Sequence, residues 1–312
     1  MSPFALICGS LAYDTVMVFP GRFREHILPD SIHMLNVSFL VPSMKRNFGG
    51  CSGNIAYNLR LVGGEGAPMA TVGTDFGVYA QWLTDCGVRT DHVLTIEGEF
   101  TAQAFITTDL DANQINAFHP GAMDHSHRNQ VPLDAGVTLG VIAPDGREGM
   151  LAHSMQFAAA GIPVLFDPGQ QLPRFDRAEL LGFVERSRWI AVNDYEAQLL
   201  RDRTGEDMTT LAKRVDALII TRGAQGSVIM TGSREIAIPA ARADAVVDPT
   251  GCGDAYRAGL IYGLMQGLDW ETTGRIASLL GALKIAHAGT QNHRFTAGEF
   301  AARFRAAFGR AI

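Results

Sequence analysis

The sequence predicts an α/β fold with a mostly parallel central sheet, and three observations carry that prediction. Short apolar runs recur along the 312 residues: FALIC near residue 4, MATVG near 69, GVTLGVIA near 136, IPVLFD near 162, WIAVN near 189 and ALIITRG near 217. Runs of this length, bounded by turn residues, read as buried strands. The intervening segments 53–62, 149–160, 194–203 and 254–267 repeat their apolar residues at helical spacing. Strand and helix therefore alternate, the rhythm of βα units whose helices sandwich the sheet. At 47% hydrophobic and 19% charged residues, the composition is that of a globular enzyme long enough to bury a large core.

Taken in chain order, the first run ends in CGSLAYD, residues 8–14, a Gly-Ser turn followed by Asp14. The carboxyl end of a parallel strand is where open α/β sheets place ligands, although a solvated strand-end acid is the simpler reading of Asp14 alone. Residues 13–46 break the rhythm with Pro20, Pro29 and Pro42 among β-branched and aromatic residues. Residues 93–119 read as strands joined by a polar turn at Asp109–Asn113. Both stretches fit edge structure of the main sheet. FGGCSGNIAYNLRLVGG, residues 48–64, sets Gly49 and Gly50 before Asn54 and an amphipathic helix; alone it reads as a glycine-rich loop with a cap. TVGTDFG, residues 71–77, reads as structural. In AVNDYEAQLL, residues 191–200, Asn193 and Glu196 stand three apart, the spacing of a capping box. LIITRGAQGSVI, residues 218–229, is explained by a hairpin.

Residues 246–259, VVDPTGCGDAYRAG, concentrate the most chemistry: an apolar strand, a Gly-Cys-Gly turn, Asp254 and the opening of a helix. Glycines leave backbone N–H groups unobstructed, and a helix start directs unpaired amides and the positive end of its dipole at one spot. A carboxylate there can take a proton from a hydroxyl while the amides stabilise charge on a transferring phosphoryl group. By itself the turn is equally a plain strand-to-helix connection with an acidic first turn.

This segment resembles, almost residue for residue, the D-T-x-G-A-G-D signature of the ribokinase-like (PfkB) carbohydrate and nucleoside kinases, with Pro249 and Cys252 as variations. The other motifs follow in family order from residue 8 to about 291. The resemblance implies a three-layer α/β/α domain spanning 1–312 with a small β-sheet lid from about 13–46 and 93–120. It assigns Asp254 as catalytic base and Gly251, Cys252 and Gly253 as the anion hole, Cys252 through its backbone N–H. It gives Asp14, Gly49, Gly50 and Asn54 to sugar hydroxyls, an acid being suited to accept from both members of a vicinal diol. Asn193 and Glu196 would orient Mg²⁺ through its waters. Thr221, Gly223 and Gly226 would approach the ATP phosphates, with Arg222 adding positive charge. GALKIAHAGTQ, residues 281–291 and including Gly289, resembles the helix and turn that flank the adenine; Asp248 and Thr250 are candidates for a monovalent-cation site that would bind K⁺.

The substrate expectation comes from the segments 113–123 and 21–42, which resemble the lid of prokaryotic nucleoside kinases. Phe39, Phe118 and Met123 would form an apolar slot for a base and Gln114 a polar contact, although each is also explained by lid packing. The expected activity is Mg²⁺- and ATP-dependent phosphorylation of the ribose 5′-hydroxyl of a nucleoside of the adenosine, inosine or guanosine type. A kinase of ribose or fructose and a non-catalytic sugar or nucleoside sensor are the alternatives. No G-x-x-x-x-G-K-[ST] occurs, and no G-x-G-x-x-G follows the first strand, which argues against a P-loop kinase and a dinucleotide-binding oxidoreductase.

A net charge of −6 argues against nucleic acid or a membrane surface as partner. Cys8, Cys51, Cys86 and Cys252 are widely spread, as reduced thiols of a cytoplasmic protein would be. The N-terminal apolar run is too short for a signal segment. His119, His125 and His127 lack ligands at zinc spacing and read as a solvated loop. An exposed lid edge suggests a homodimer.

Overall fold

The computed structural model describes residues 3–27, 36–132, 136–232 and 234–312; Pro29 and its neighbours 28–35 lie outside them. At the centre of the main sheet, β1 (Phe4–Cys8) lies between β4 (Gly66–Val72) and β8 (Val137–Ile142). β5 (Val93–Thr95) pairs with β4 on one side, and β9 (Val164–Phe166), β10 (Trp189–Asn193) and β11 (Ala217–Thr221) extend the other side. All these pairings are parallel. The antiparallel strands β12 (Ser227–Thr231) and β13 (Arg234–Ile238) complete the order β13-β12-β11-β10-β9-β8-β1-β4-β5.

The alternation of side chains along β1 shows why a continuous apolar run is needed here. Ala5 and Ile7 enter one core, covered by α1 (Cys51–Leu61), α2 (Gly77–Asp85), α7 (Cys252–Met265), α8 (Trp270–Ile285) and α9 (Ala297–Phe308). Phe4, Leu6 and Cys8 enter the other, under α3 (Arg147–Ala159), α4 (Arg177–Arg186), α5 (Asp194–Thr204) and α6 (Met208–Ala212). Both faces of a parallel strand are thereby buried, as βα crossovers require. Reciprocal capping boxes start α4 at Asp176–Glu179, α5 at Asn193–Glu196 and α9 at Thr296–Glu299.

A second, four-stranded sheet forms the lid, in the order β3-β2-β6-β7, from β2 (Ala12–Val18), β3 (Ser43–Gly49), β6 (Ala102–Thr108) and β7 (Gln114–His119). The turn between β6 and β7 is organised by Asp109, whose carboxylate accepts the N–H groups of Asp111, Asn113 and, from the neighbouring loop, Phe23. The register puts Asp14, Asn47, Ala104 and Phe118 in one row, so one lid face carries these side chains together with Val16, Ile106, Gln114 and Asn116. Tyr13, Met44, Phe105 and Ile115 stand on the opposite face.

Two expectations are corrected. Val93–Thr95 is the edge strand of the main sheet, so the second lid segment starts at Ala102 rather than 93. Residues 246–248 are not a strand. Val246 and Val247 are exposed, their only strand-like contacts are the Val247 and Asp248 N–H bonds to Ile285 O, and Pro249 removes the next donor.

Candidate active site

The site is built around the start of α7. Gly251, its N-cap residue, has φ 77° and ψ 5°, a left-handed conformation that costs other residues strain, and a Cβ there would lie 2.9 Å from Thr290 Cγ2. No side chain caps α7, so the amides of Gly253 and Asp254 have no partner within the helix. The Cys252 N–H instead donates to Pro249 O at 3.1 Å, which corrects the expectation that it contributes to the anion hole; Gly253 and Asp254 are the available donors.

The Asp254 carboxylate is held from the α1 side. Asn54 Nδ2 donates to Asp254 Oδ2 at 2.8 Å, and Asn54 Oδ1 accepts from Gln291 Nε2 at 3.0 Å. Gln291 is fixed in turn by Tyr79 Oη at 2.6 Å and by the Trp82 indole N–H at 3.0 Å, and Tyr79 donates to Gly49 O. Asn54 therefore braces the acid; one amide N–H is spent on Asp254 and one remains for a ligand hydroxyl. Burial pushes the Asp254 pKa up to about 6; the Asn54 bond opposes the rise, and the charges of Asp167 and Asp14 add to it.

Asp14 reaches this region because of Gly49. A Cβ on Gly49 would stand 2.5 Å from Asp14 Oδ2, so only a bare backbone lets the carboxylate lie there. Burial, helped by the charge of Asp248, raises the Asp14 pKa to about 6. Gly50 caps α1, and its carbonyl accepts the Asn54 N–H at 3.0 Å. Gln114 and Phe118 lie on the Asp14 face of the lid, both exposed. Two slot residues are taken up by contacts within the protein. Met123 is 3% exposed and packs with Ala12 and Ala102, where small neighbours leave it room but a ligand has almost none of its surface. Phe39 joins an aromatic cluster with Phe19, Phe23 and His26.

On the other side of Asp254 opens a cavity of about 780 Å³, a size suited to a nucleotide. Asn193, Glu196, Thr221, Gly223, Gly226 and residues 252–254 line it; Arg222 is exposed outside its walls. Gly289 is also outside them, its N–H donating to Asp248 Oδ2 at 2.8 Å. Asn193 and Glu196 form the α5 capping box, each accepting the other's N–H at 2.8 Å. Asp167 and Arg257, which sequence reasoning missed, complete this end. Arg257 Nη2 donates to Asp167 Oδ1 at 3.0 Å and to Ala191 O at 3.1 Å, and lies 3.8 Å from Glu196 Oε2. Burial and the Asp167 charge raise the Glu196 pKa against the pull of Arg257. Asp167 and Glu196 thus pair with one guanidinium, and the charge of Asp254 is felt there as well, so negative charge exceeds positive at this end of the cavity. Among the described residues no group of three or more His, Cys, Asp or Glu is arranged to hold a metal directly, the histidines at 119, 125 and 127 included. The four cysteines are free thiols, and no described helix is long and apolar enough to cross a membrane.

Gln291 and Asp167 carry no local signal, since each meets its partner only through folding. Arg257 had one: three residues after Asp254, it falls on the buried face of α7, where a lone cation needs a carboxylate.

Comparisons with known proteins identify the family. The family model for pfkB family carbohydrate kinases matches residues 12–296. The nucleoside kinase of Methanocaldococcus jannaschii is 32% identical over 260 residues, covering 83% of this chain and 85% of that protein. The structure of Burkholderia thailandensis nucleoside kinase in complex with inosine has a TM-score of 0.88 at 51% identity, covering 98% of this chain and 99% of that one. The same enzyme in complex with ADP-inosine gives 0.86 at 53% identity, covering 98% and 97%. With a ribokinase-like sheet, a β lid and an acid at the head of α7, the chain belongs to the pfkB family of carbohydrate kinases.

Proposed function

We propose that this chain transfers the γ-phosphoryl group of ATP to the ribose 5′-hydroxyl of a purine nucleoside, with adenosine, inosine and guanosine as acceptors. The observation that carries the reading is the Asp254 carboxylate, held by Asn54 beside the free amides of α7, between the nucleotide-sized cavity and the Asp14 face of the lid. Asp14 accepts hydrogen bonds from the 2′- and 3′-hydroxyls, supported by the remaining Asn54 N–H and the bare backbone of Gly49 and Gly50. The 5′-oxygen then points to Asp254, which takes its proton as the oxygen attacks the γ-phosphorus. The bond to the β-phosphate oxygen breaks, ADP leaves, and the amides of Gly253 and Asp254 stabilise the charge spread over the phosphoryl oxygens.

Phe118 and Gln114, on the Asp14 face, supply a flat apolar contact and a polar edge for the base. The similarity to an enzyme solved with inosine and with ADP-inosine supports a nucleoside over a free sugar. Glu196 and Asn193, backed by Asp167, would hold Mg²⁺ through its waters, and the ion would neutralise charge on the transferring phosphates. The chemistry suits the cytoplasm, where ATP and reduced thiols coexist. The exposure of Met44, Phe105 and Ile115 on the outer face of the lid supports a second copy of the chain as its cover.

Asp254→Asn tests the base assignment. Turnover of inosine with ATP should fall by about 10²–10⁴-fold, while calorimetric binding of inosine stays near the wild-type value. An unchanged kcat removes Asp254 from the mechanism.

A further inference from the structure

Lys284, in the last turn of α8, is 0% exposed. A buried lysine persists only where its ammonium finds acceptors, and here it does. Nζ donates to the carbonyl oxygen of Asp248 at 2.7 Å and to that of His287 at 3.3 Å, and lies 3.9 Å from Asp248 Oδ2. Two carbonyls and one carboxylate oxygen around a point charge form the donor set that a hard monovalent cation takes. The space is already filled by a cation of the protein's own.

The position of this ammonium matters because of what it joins. Asp248 stands three residues before Gly251, and its carboxylate also accepts the N–H groups of Thr250 and Gly289, at 2.9 and 2.8 Å. The segment leading into the anion-hole turn and the loop after α8 are thus gathered around one charge. Thr290 of that loop is the side chain that packs against Gly251, and its hydroxyl donates to Phe48 O. Thr250 meets the Asp248 carboxylate through both its backbone N–H and its side chain, so its polar groups are turned to that acid.

We propose that Lys284 is a built-in replacement for a bound monovalent cation: it shapes the 248–251 turn and places fixed positive charge behind the phosphoryl site, so catalysis requires no potassium. Asp248 and Thr250 then serve Lys284 rather than K⁺, in place of the role their sequence position suggested. The inference rests on the kinase reading of the same site, and Lys284 acts on the reaction through the turn as a positioning residue.

The test compares rates with ATP and inosine, and thermal midpoints without substrate, in about 100 mM KCl, NaCl or choline chloride at matched ionic strength. For the wild type, rates should agree within about twofold and midpoints within about 1 °C, since no cation site remains to be filled. A potassium-specific rise of about tenfold in rate, or of several degrees (roughly 3 °C or more) in midpoint, overturns the proposal. Lys284→Ala should lose rate and midpoint in choline and recover part of both in KCl; a folded variant indifferent to potassium overturns it. Lys284→Met keeps most of the side-chain volume without the charge, so it should fold, turn over slowly and gain nothing from KCl. A wild-type rate in that variant overturns the proposal even if the alanine variant does not fold. Absence of nucleoside-dependent turnover in every salt would instead count against the kinase reading, and the wild-type midpoints would still decide the question of the cation.

Discussion

At the scale of single residues, the two carboxyl groups raised to about 6, Asp254 and Asp14, connect structure to measurable pH behaviour. The base must be ionised to accept a proton and Asp14 must be ionised to accept from a diol, so kcat/KM for inosine should fall as pH drops below about 6, with a slope above one where both titrate. Stability runs the other way. Each folded pKa exceeds the ordinary carboxylate value, so the folded state holds these protons longer than the unfolded chain does. Their contribution therefore favours the fold at low pH and is lost as pH rises from about 4 to about 6. Activity lost below pH 6 while the thermal midpoint holds marks titration of the site; a flat profile from pH 5 to 8 contradicts both assignments. Asp254 was legible in the sequence because glycines, acid and helix start are adjacent in the chain. The Asn54–Asp254 bond was not, because it joins residues 200 positions apart, and spacing within a motif does not show which acceptor an amide will meet.

At the scale of elements, the βα core could be read and the lid only partly. Buried parallel strands announce themselves as apolar runs, and each one predicted from FALIC to ALIITRG overlaps a strand of the main sheet. Val246 and Val247 imitated such a run but have no neighbouring strand to pair with, and composition cannot reveal a missing neighbour. The same weakness assigned Val93–Thr95 to the lid, since an edge strand of three residues carries no mark of which sheet it joins. The lid's own alternation is clear: Asp14 and Phe118 face one way while Met44, Phe105 and Ile115, 64%, 39% and 44% exposed, face the other. Among the described residues β3 and β7 are the outer strands of the lid and flank that face, and a second lid can cover both the edges and the exposed Met44, Phe105 and Ile115. Light scattering should give about twice the 33.6 kDa chain mass, and Phe105→Lys with Ile115→Glu should shift it to one. A monomeric wild type at micromolar concentration contradicts the pairing.

At the scale of the whole molecule, the main sheet places the carboxyl ends of its strands and the first turns of α1, α5 and α7 around one cleft, and the lid adds the acceptor side. Family membership follows from that arrangement as well as from the matched residues 12–296. Substrate choice was the least legible part, because it depends on which lid side chains share a face and which are packed away: Phe118 and Gln114 share the face of Asp14, whereas Met123 and Phe39 are taken up by neighbouring side chains. The most direct test of the account is ADP release from ATP and Mg²⁺ with inosine, adenosine, guanosine, cytidine, ribose and fructose, each against a reaction without acceptor. The account predicts release with the purine nucleosides and background rates with the free sugars; release with ribose or fructose alone would contradict it.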